Sequence, residues 1–218
     1  MSAAADEIFL GPYRPPMPDR DHLISIVDSS FFVLLRLSSP DGTNRLTQAT
    51  LGALESALGR LALTPKPVII AGNEQFFSAG ADLREIARLN PAAGYEFSRA
   101  GQKVMTQLDE FPATTIAAIS GYCFGGALDL ALACDIRIAA RGAVFGHRGA
   151  ALGLITGWGG TQRLPRLIGK ARALQMFCAA EKLGAQEALR IGLVSAVADD
   201  PVEAAAVRCE MLNVKSKK

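Results

Sequence analysis

Histidine is scarce in this chain, with two in 218 residues, and Phe, Trp and Tyr together make up only 6 %. The four cysteines (Cys123, Cys134, Cys178 and Cys209) are widely spaced and form no Cys-x-x-Cys pair. These shortages argue against a metal centre, which draws on clustered His and Cys. Charge of one sign is also missing: 23 basic residues face 21 acidic ones, for a net +2, so no strong field for polyanions exists. No basic run is interleaved with aromatics, as a single-strand nucleic-acid platform requires. The basic tail Lys215-Ser216-Lys217-Lys218 reads as a solvated, frayed terminus. Charges interrupt every long apolar run, so no membrane span is expected. The acidic N-terminus, Met1 to Glu7, lacks the apolar core of a signal peptide. The expected setting is a reducing cytoplasm, with neither nucleic acid nor membrane as a partner.

Familiar nucleotide and hydrolase loops are absent as well. No Gly-x-Gly-x-x-Gly or Gly-Lys-Ser/Thr sequence occurs, so phosphate cradling is not supported. No Gly-x-Ser-x-Gly elbow appears, which leaves a Ser78 or Ser120 nucleophile served by His147 without its usual local frame.

Apolar residues make up 50 % of the chain, enough for one domain with a sizeable core or at most two small ones. Four prolines within residues 11–20 make residues 1–20 an extended lead-in. A core is expected over 21–200, and a short helix with a tail over 201–218. Leu23–Val27 and Phe31–Leu37 read as strands, followed by a loop and a helix with Leu51, Leu54, Leu58 and Leu61 at helical spacing. Val68–Gly72, Thr114–Ile119, Asp135–Ala140 and Leu193–Val197 are apolar runs suited to a buried, largely parallel sheet. Helices are expected over 92–110, Gly160–Ile168 and 170–183, with a glycine-rich loop at 147–160 in which Trp158 is a packing anchor or a pocket wall. Asp200-Pro201-Val202-Glu203 has the form of a capping box opening a last helix to about Leu212. Strands alternating with helices make this an α/β chain.

The chain is organised around Ile119 to Asp135, which reads as a buried strand end, a glycine turn and an almost wholly apolar helix. Glycine lets a ligand approach the backbone, and a helix N-terminus offers unpaired N–H groups with partial positive charge. Such donors polarise a carbonyl oxygen or hold an oxyanion. Asp129 follows Gly126 by three residues and falls on roughly the same side of the helix, beside those donors. The plainer alternative is a tight turn before a core helix, with Asp129 as a first-turn charge. A second small-residue turn, Phe76 to Ile86, repeats the arrangement. In an open parallel sheet such turns lie where ligands bind.

Phe77-Ser78-Ala79-Gly80-Ala81-Asp82-Leu83, Gly121-Tyr122-Cys123-Phe124-Gly125-Gly126-Ala127 and Cys134-Asp135-Ile136-Arg137-Ile138-Ala139 resemble, in order, the signatures of the crotonase (enoyl-CoA hydratase/isomerase) superfamily. Phe145-Gly146, Gly159-Gly160-Thr161-Gln162-Arg163-Leu164 and Gly192-Leu193-Val194 continue the series, and the likeness runs from about residue 23 to 200. The resemblance implies a spiral of repeated ββα units, usually assembled as trimers or pairs of trimers. It implies a CoA thioester substrate and no cofactor, CoA being part of the substrate. The thioester carbonyl would lie between the backbone N–H groups of Ala81 and Gly126, which stabilise an enolate. Asp129 would be the acid/base. Gly42, Ser78, Ala79, Gly80, Asp82, Leu83, Phe124, Gly125 and Gly149 would lie along the CoA and acyl groups.

Two departures from the family stand out. Its hydratases use two glutamates; the first position is Asp129 here, shorter by roughly 1.5 Å, and the second is Gly149, which has no side chain to donate or accept a proton. Dihydroxynaphthoyl-CoA synthases also have glycine there and recruit bicarbonate, but carry aspartate where this chain has Thr156. His147, two residues before Gly149, could supply the missing acid/base or simply orient its loop. Family members also usually continue well beyond the last strand, so a short C-terminal helical region is expected. Enoyl-CoA hydratase or isomerase chemistry is therefore the leading expectation. The alternatives are thioester hydrolysis, decarboxylation, or a non-catalytic acyl-CoA binder.

Overall fold

The computed structural model describes residues 23–216, with side chains to Leu212. The proline-rich lead-in, His22 and Lys217-Lys218 lie outside the described residues. In chain order, β1 (Ile24–Asp28) and β2 (Val33–Leu37) precede α1 (Gln48–Leu61), β3 (Val68–Ala71), β4 (Phe76–Ser78), α2 (Leu83–Ile86) and α3 (Pro91–Asp109). Then come β5 (Thr115–Ile119), β6 (Tyr122–Phe124), α4 (Gly126–Ala133), β7 (Ile136–Ala140), β8 (Val144–Gly146) and a 3₁₀ turn (Gly149–Leu152). The remainder is α5 (Gly160–Ile168), α6 (Lys170–Ala179), β9 (Leu183–Gly184), α7 (Ala185–Arg190), β10 (Ala196–Ala198) and α8 (Pro201–Ser216).

Six strands form one sheet in the order β1-β2-β3-β5-β7-β10, parallel except for the β1–β2 hairpin at its edge. The inner strands are apolar throughout because both faces are covered. Alternate residues separate cleanly: Val33, Leu35, Val68, Ile70, Ala117 and Ile119 join the main core with the helices of one side. Leu34, Ile69, Ala71, Ile116 and Ala118 meet Val202, Ala205 and Cys209 of α8 on the other. The Asp200 carboxylate caps α8 by accepting from the Val202 and Glu203 amides at 2.8 and 3.0 Å.

A second sheet, β4-β6-β8-β9, stands beside the first. Each of β4, β6 and β8 follows a strand of the large sheet and, in β3-β4 and β5-β6, leads into helix, so the chain climbs in ββα units. This second sheet corrects the simpler reading of strand, turn and helix: three-residue strands are inserted at Phe76–Ser78 and Tyr122–Phe124. They are too short for an alternating pattern to show in sequence. The helix expected over 170–183 ends at Ala179, capped by Ala180 at φ +49°. The last strand of the sheet is 196–198 instead of 193–197. Leu193 and Val194 instead bond back to the Ala188 carbonyl and close the turn after α7.

Candidate active site

Two backbone turns create one wall of the site. The Ala79–Ala81 turn is fastened to the loop before α1, where the Ala79 amide donates to the Thr43 carbonyl and the Leu46 amide to the Gly80 carbonyl, each at 2.9 Å. Gly80 sits at φ +90°, and a Cβ there would lie 2.3 Å from the Phe124 carbonyl oxygen and 3.1 Å from the Gly126 nitrogen. Only glycine lets the two turns approach so closely. Gly125, at φ +55°, opens α4 without any side-chain cap, so the first amides of that helix stay open toward the site. Ala81 and Gly126 both line a cavity of about 830 Å³.

Asp129 projects from the first turn of α4 and is fully buried. A buried carboxylate needs compensating partners. Thr156 Oγ1 donates a very short hydrogen bond to Asp129 Oδ2. His147, just past β8 and 3 % exposed, brings Nε2 to 3.2 Å from Asp129 Oδ1. That contact is not aligned as a hydrogen bond, so Oδ1 and Nε2 face each other, buried and without a hydrogen-bond partner among the described residues. The Phe177 ring packs against the imidazole, with centroids 4.8 Å apart. A Cβ on Gly160 would lie 2.1 Å from Asp129 Oδ1 and 3.0 Å from His147 Nε2. The bare backbone that opens α5 therefore makes room for this pair.

Much of the remaining wall is apolar, including Leu83, Ile86, Phe97, Leu154 and Trp158, with Asn90, Ser98, Arg148 and Cys178 among them. Trp158 is both anchor and wall. It is 4 % exposed, packs edge-on to Phe97 at 5.3 Å, and lies against Gly101 of α3 and Gly126 of α4.

Of the residues named from sequence, Ala79, Ala81, Leu83, Phe124, Gly125, Gly126, Asp129, His147 and Gly149 share this cavity. Gly42, Ser78, Gly80 and Asp82 stand behind it. The Gly42 carbonyl accepts from Asn73 Nδ2 at 2.7 Å. The buried Ser78 hydroxyl accepts from the Gly80 amide at 3.0 Å, and Asp82 caps α2 through the Arg84 and Glu85 amides. Ser78 thus holds a turn and is not paired with His147. At Gly149 a Cβ would meet the Leu154 carbonyl oxygen at 2.7 Å, so the local backbone has no space for a larger residue. The contributions of Gly160 and Phe177 were not anticipated. Both come from elements remote in sequence; Gly160 lies in the Gly159–Leu164 motif, which gave no sign of this role, and Phe177 carries no local mark.

With this geometry in view, the family model described as enoyl-CoA hydratase/isomerase matches residues 29–218. The chain is 41 % identical over 186 residues to a Bacillus subtilis protein named as a probable enoyl-CoA hydratase, covering 83 % of this chain and 70 % of that one. It is 38 % identical over 169 residues to a short-chain-enoyl-CoA hydratase of Clostridium acetobutylicum, covering 76 % and 65 % of the two chains. The crystal structure of an enoyl-CoA hydratase from Bacillus anthracis superposes with a TM-score of 0.84 at 35 % identity, over 88 % of this chain and 77 % of that one. This chain spans about two thirds of the length of the curated relatives it matches. The chain belongs to the enoyl-CoA hydratase/isomerase family.

Proposed function

We propose that the protein processes acyl-CoA thioesters by hydratase/isomerase-type chemistry through an enolate held at Ala81 and Gly126. The observation that carries the reading is the meeting of two chain turns and a buried carboxylate on one cavity wall. A thioester carbonyl oxygen at the two amides would have its negative charge stabilised as the enolate forms, by about 3 kcal/mol per well-placed donor. The acyl chain would lie along Leu83, Ile86, Phe97 and Leu154. Asp129 stands where a proton must be taken or delivered. The reading calls for no cofactor, because CoA belongs to the substrate. A reducing, cytoplasmic setting belongs to the same proposal and is supported by four cysteines that are all free. Assembly into trimers or pairs of trimers does too, supported by the exposed apolar side chains Leu152 and Ile155 on the loop at the cavity.

Turnover of crotonyl-CoA, followed as loss of the conjugated enoyl thioester absorbance, tests the reading. Hydration or double-bond migration is expected, and Asp129→Ala should lower it at least about 100-fold while thioester binding persists. A wild-type protein that binds the thioester but turns over no enoyl-CoA would instead be a binder.

A further inference from the structure

Adding water across a conjugated thioester takes a proton from water and gives one to the α-carbon, and two side chains can divide these transfers between them. The ionisable side chains on the cavity wall are Asp129, His147, Arg148 and Cys178. Asp129 is the sole carboxylate among them. A guanidinium does not release its proton in a protein, and nothing in the structure activates the exposed Cys178 thiol. Among the described residues, the group set against Asp129 that exchanges protons near neutral pH is the His147 imidazole, with its Nε2 at 3.2 Å from Asp129 Oδ1. Gly149, in the same segment, has neither an acid nor space for one.

We propose that His147 is the second proton-transfer residue of this site, working with Asp129 as a relay. The inference rests on the acyl-CoA reading above. For that role the Asp129 carboxylate has to start ionised and His147 has to start as the imidazolium. As water's oxygen bonds to the β-carbon, its proton passes to Asp129. The Cα=Cβ electrons then move toward the thioester, giving an enolate whose oxygen lies at the Ala81 and Gly126 amides. The imidazolium of His147 delivers its proton to the α-carbon, and the enolate collapses to the saturated 3-hydroxyacyl thioester. The proton left on Asp129 then crosses to His147, restoring the starting pair. One water is consumed and no net proton is gained or lost.

The local geometry is consistent with a pair that trades a proton. Oδ1 and Nε2 are both buried, face each other and lack another partner among the described residues, while Thr156 occupies the other carboxylate oxygen. Phe177 closes one side of the imidazole. The charged and titratable groups near His147 are Asp129 on α4, Arg148 beside it, whose guanidinium reaches the Ala180 carbonyl, and Cys178 on α6.

The test is the pH profile of crotonyl-CoA hydration in the wild type and in His147→Gln, with thioester affinity measured alongside. The wild type should show a bell. His147→Gln should lose at least about 100-fold in kcat, keep its thioester affinity, and lose the alkaline limb that reports a required imidazolium. Activity retained within about threefold, or a loss of rate with the two-limbed profile unchanged, would overturn the relay and make His147 a residue that merely orients its loop. NMR of protein with 15N-labelled histidine keeps the idea testable without turnover. Only two histidines are present, so the His147 signals are assigned by their absence in His147→Gln. At neutral pH they should report imidazolium in the wild type and neutral imidazole in Asp129→Asn. Neutral imidazole in the wild type would overturn the relay. Absence of any enoyl-CoA turnover with imidazolium present would instead count against the acyl-CoA reading and leave the ion pair standing.

Discussion

Gly160 determines whether Asp129 and His147 can meet at all. Its missing Cβ is the space occupied by Asp129 Oδ1, and a methyl group there would overlap that oxygen at 2.1 Å. Gly160→Ala is therefore expected to push the carboxylate away from His147 and Thr156, lowering turnover more than about tenfold and stability by about 1–3 kcal/mol. Steady-state kinetics and urea unfolding of the variant check both numbers; unchanged activity would mean that the pair does not need this geometry. Asp129, Ala81 and Gly126 were legible in the sequence because each sits in a local motif, two glycine turns and the carboxylate that follows one of them. His147 was legible as a candidate acid/base or loop-orienting residue, but not its 3.2 Å contact with Asp129, which joins the segment after β8 to α4. Gly160 lay in the Gly159–Leu164 motif, but its role as the space for Asp129 did not show there, and Phe177 carries no local signal.

At the level of elements, α4 is held at both ends by groups from other parts of the chain. Its N-terminus is left uncapped toward the cavity, with the Gly125 amide donating to the Gly146 carbonyl of β8 at 2.9 Å. Its C-terminus is completed by Arg137 of β7. That guanidinium donates to the Cys134 carbonyl at 2.6 Å and the Ala131 carbonyl at 3.4 Å, while Nε reaches Leu193 at 2.9 Å. A cation suits the carbonyl end of a helix, and burial lowers the Arg137 pKa from its ordinary value. Arg137→Leu takes the guanidinium donor from the Cys134 and Leu193 carbonyls and leaves Ala131 only the Cys134 amide, so we expect it to cost about 2–4 kcal/mol. Urea midpoints measure the loss, and a change under 1 kcal/mol, within the scatter of surface substitutions, would refute the assignment. The sequence located α4 and β7 by their apolar runs. It did not show β6 between β5 and α4, because a three-residue strand acquires its identity only by pairing with β4 and β8.

Across the whole molecule, the large sheet has a core on each face, and Cys134 and Cys209 are two of the three buried thiols in this doubly covered interior. Cys134 belongs to the core on the α4 side and Cys209 of α8 to the opposite one. Burial pushes both thiols up to about 12, from an ordinary value of 9.0. A raised acid holds its proton in the native state after the unfolded chain has released it, so the unfolded state binds fewer protons and stability falls as pH rises. The contribution is fully present below about pH 9 and is lost as pH climbs toward 12. Unfolding free energies measured across that window should decline, and the decline should be shallower in Cys134→Ala and Cys209→Ala than in the wild type. Equal slopes in all three proteins would show that other groups set the alkaline limit.

The sequence by itself determined the α/β class, the apolar strands of the large sheet, the two glycine turns and the carboxylate beside one of them. Each depends on spacing along the chain, on glycine's backbone freedom, or on motifs a few residues long. Tertiary structure alone decided that the two turns lie against each other and that a second sheet of very short strands separates them from the first. It also decided that Asp129 faces a histidine and a threonine from segments 18 and 27 residues away. Contacts across such separations depend on how sheets and helices pack, and no local pattern encodes them. The missing side chain at Gly149 was visible in the sequence; the Leu154 carbonyl that fills the space, and the imidazole set against the carboxylate, were visible only once the chain was folded.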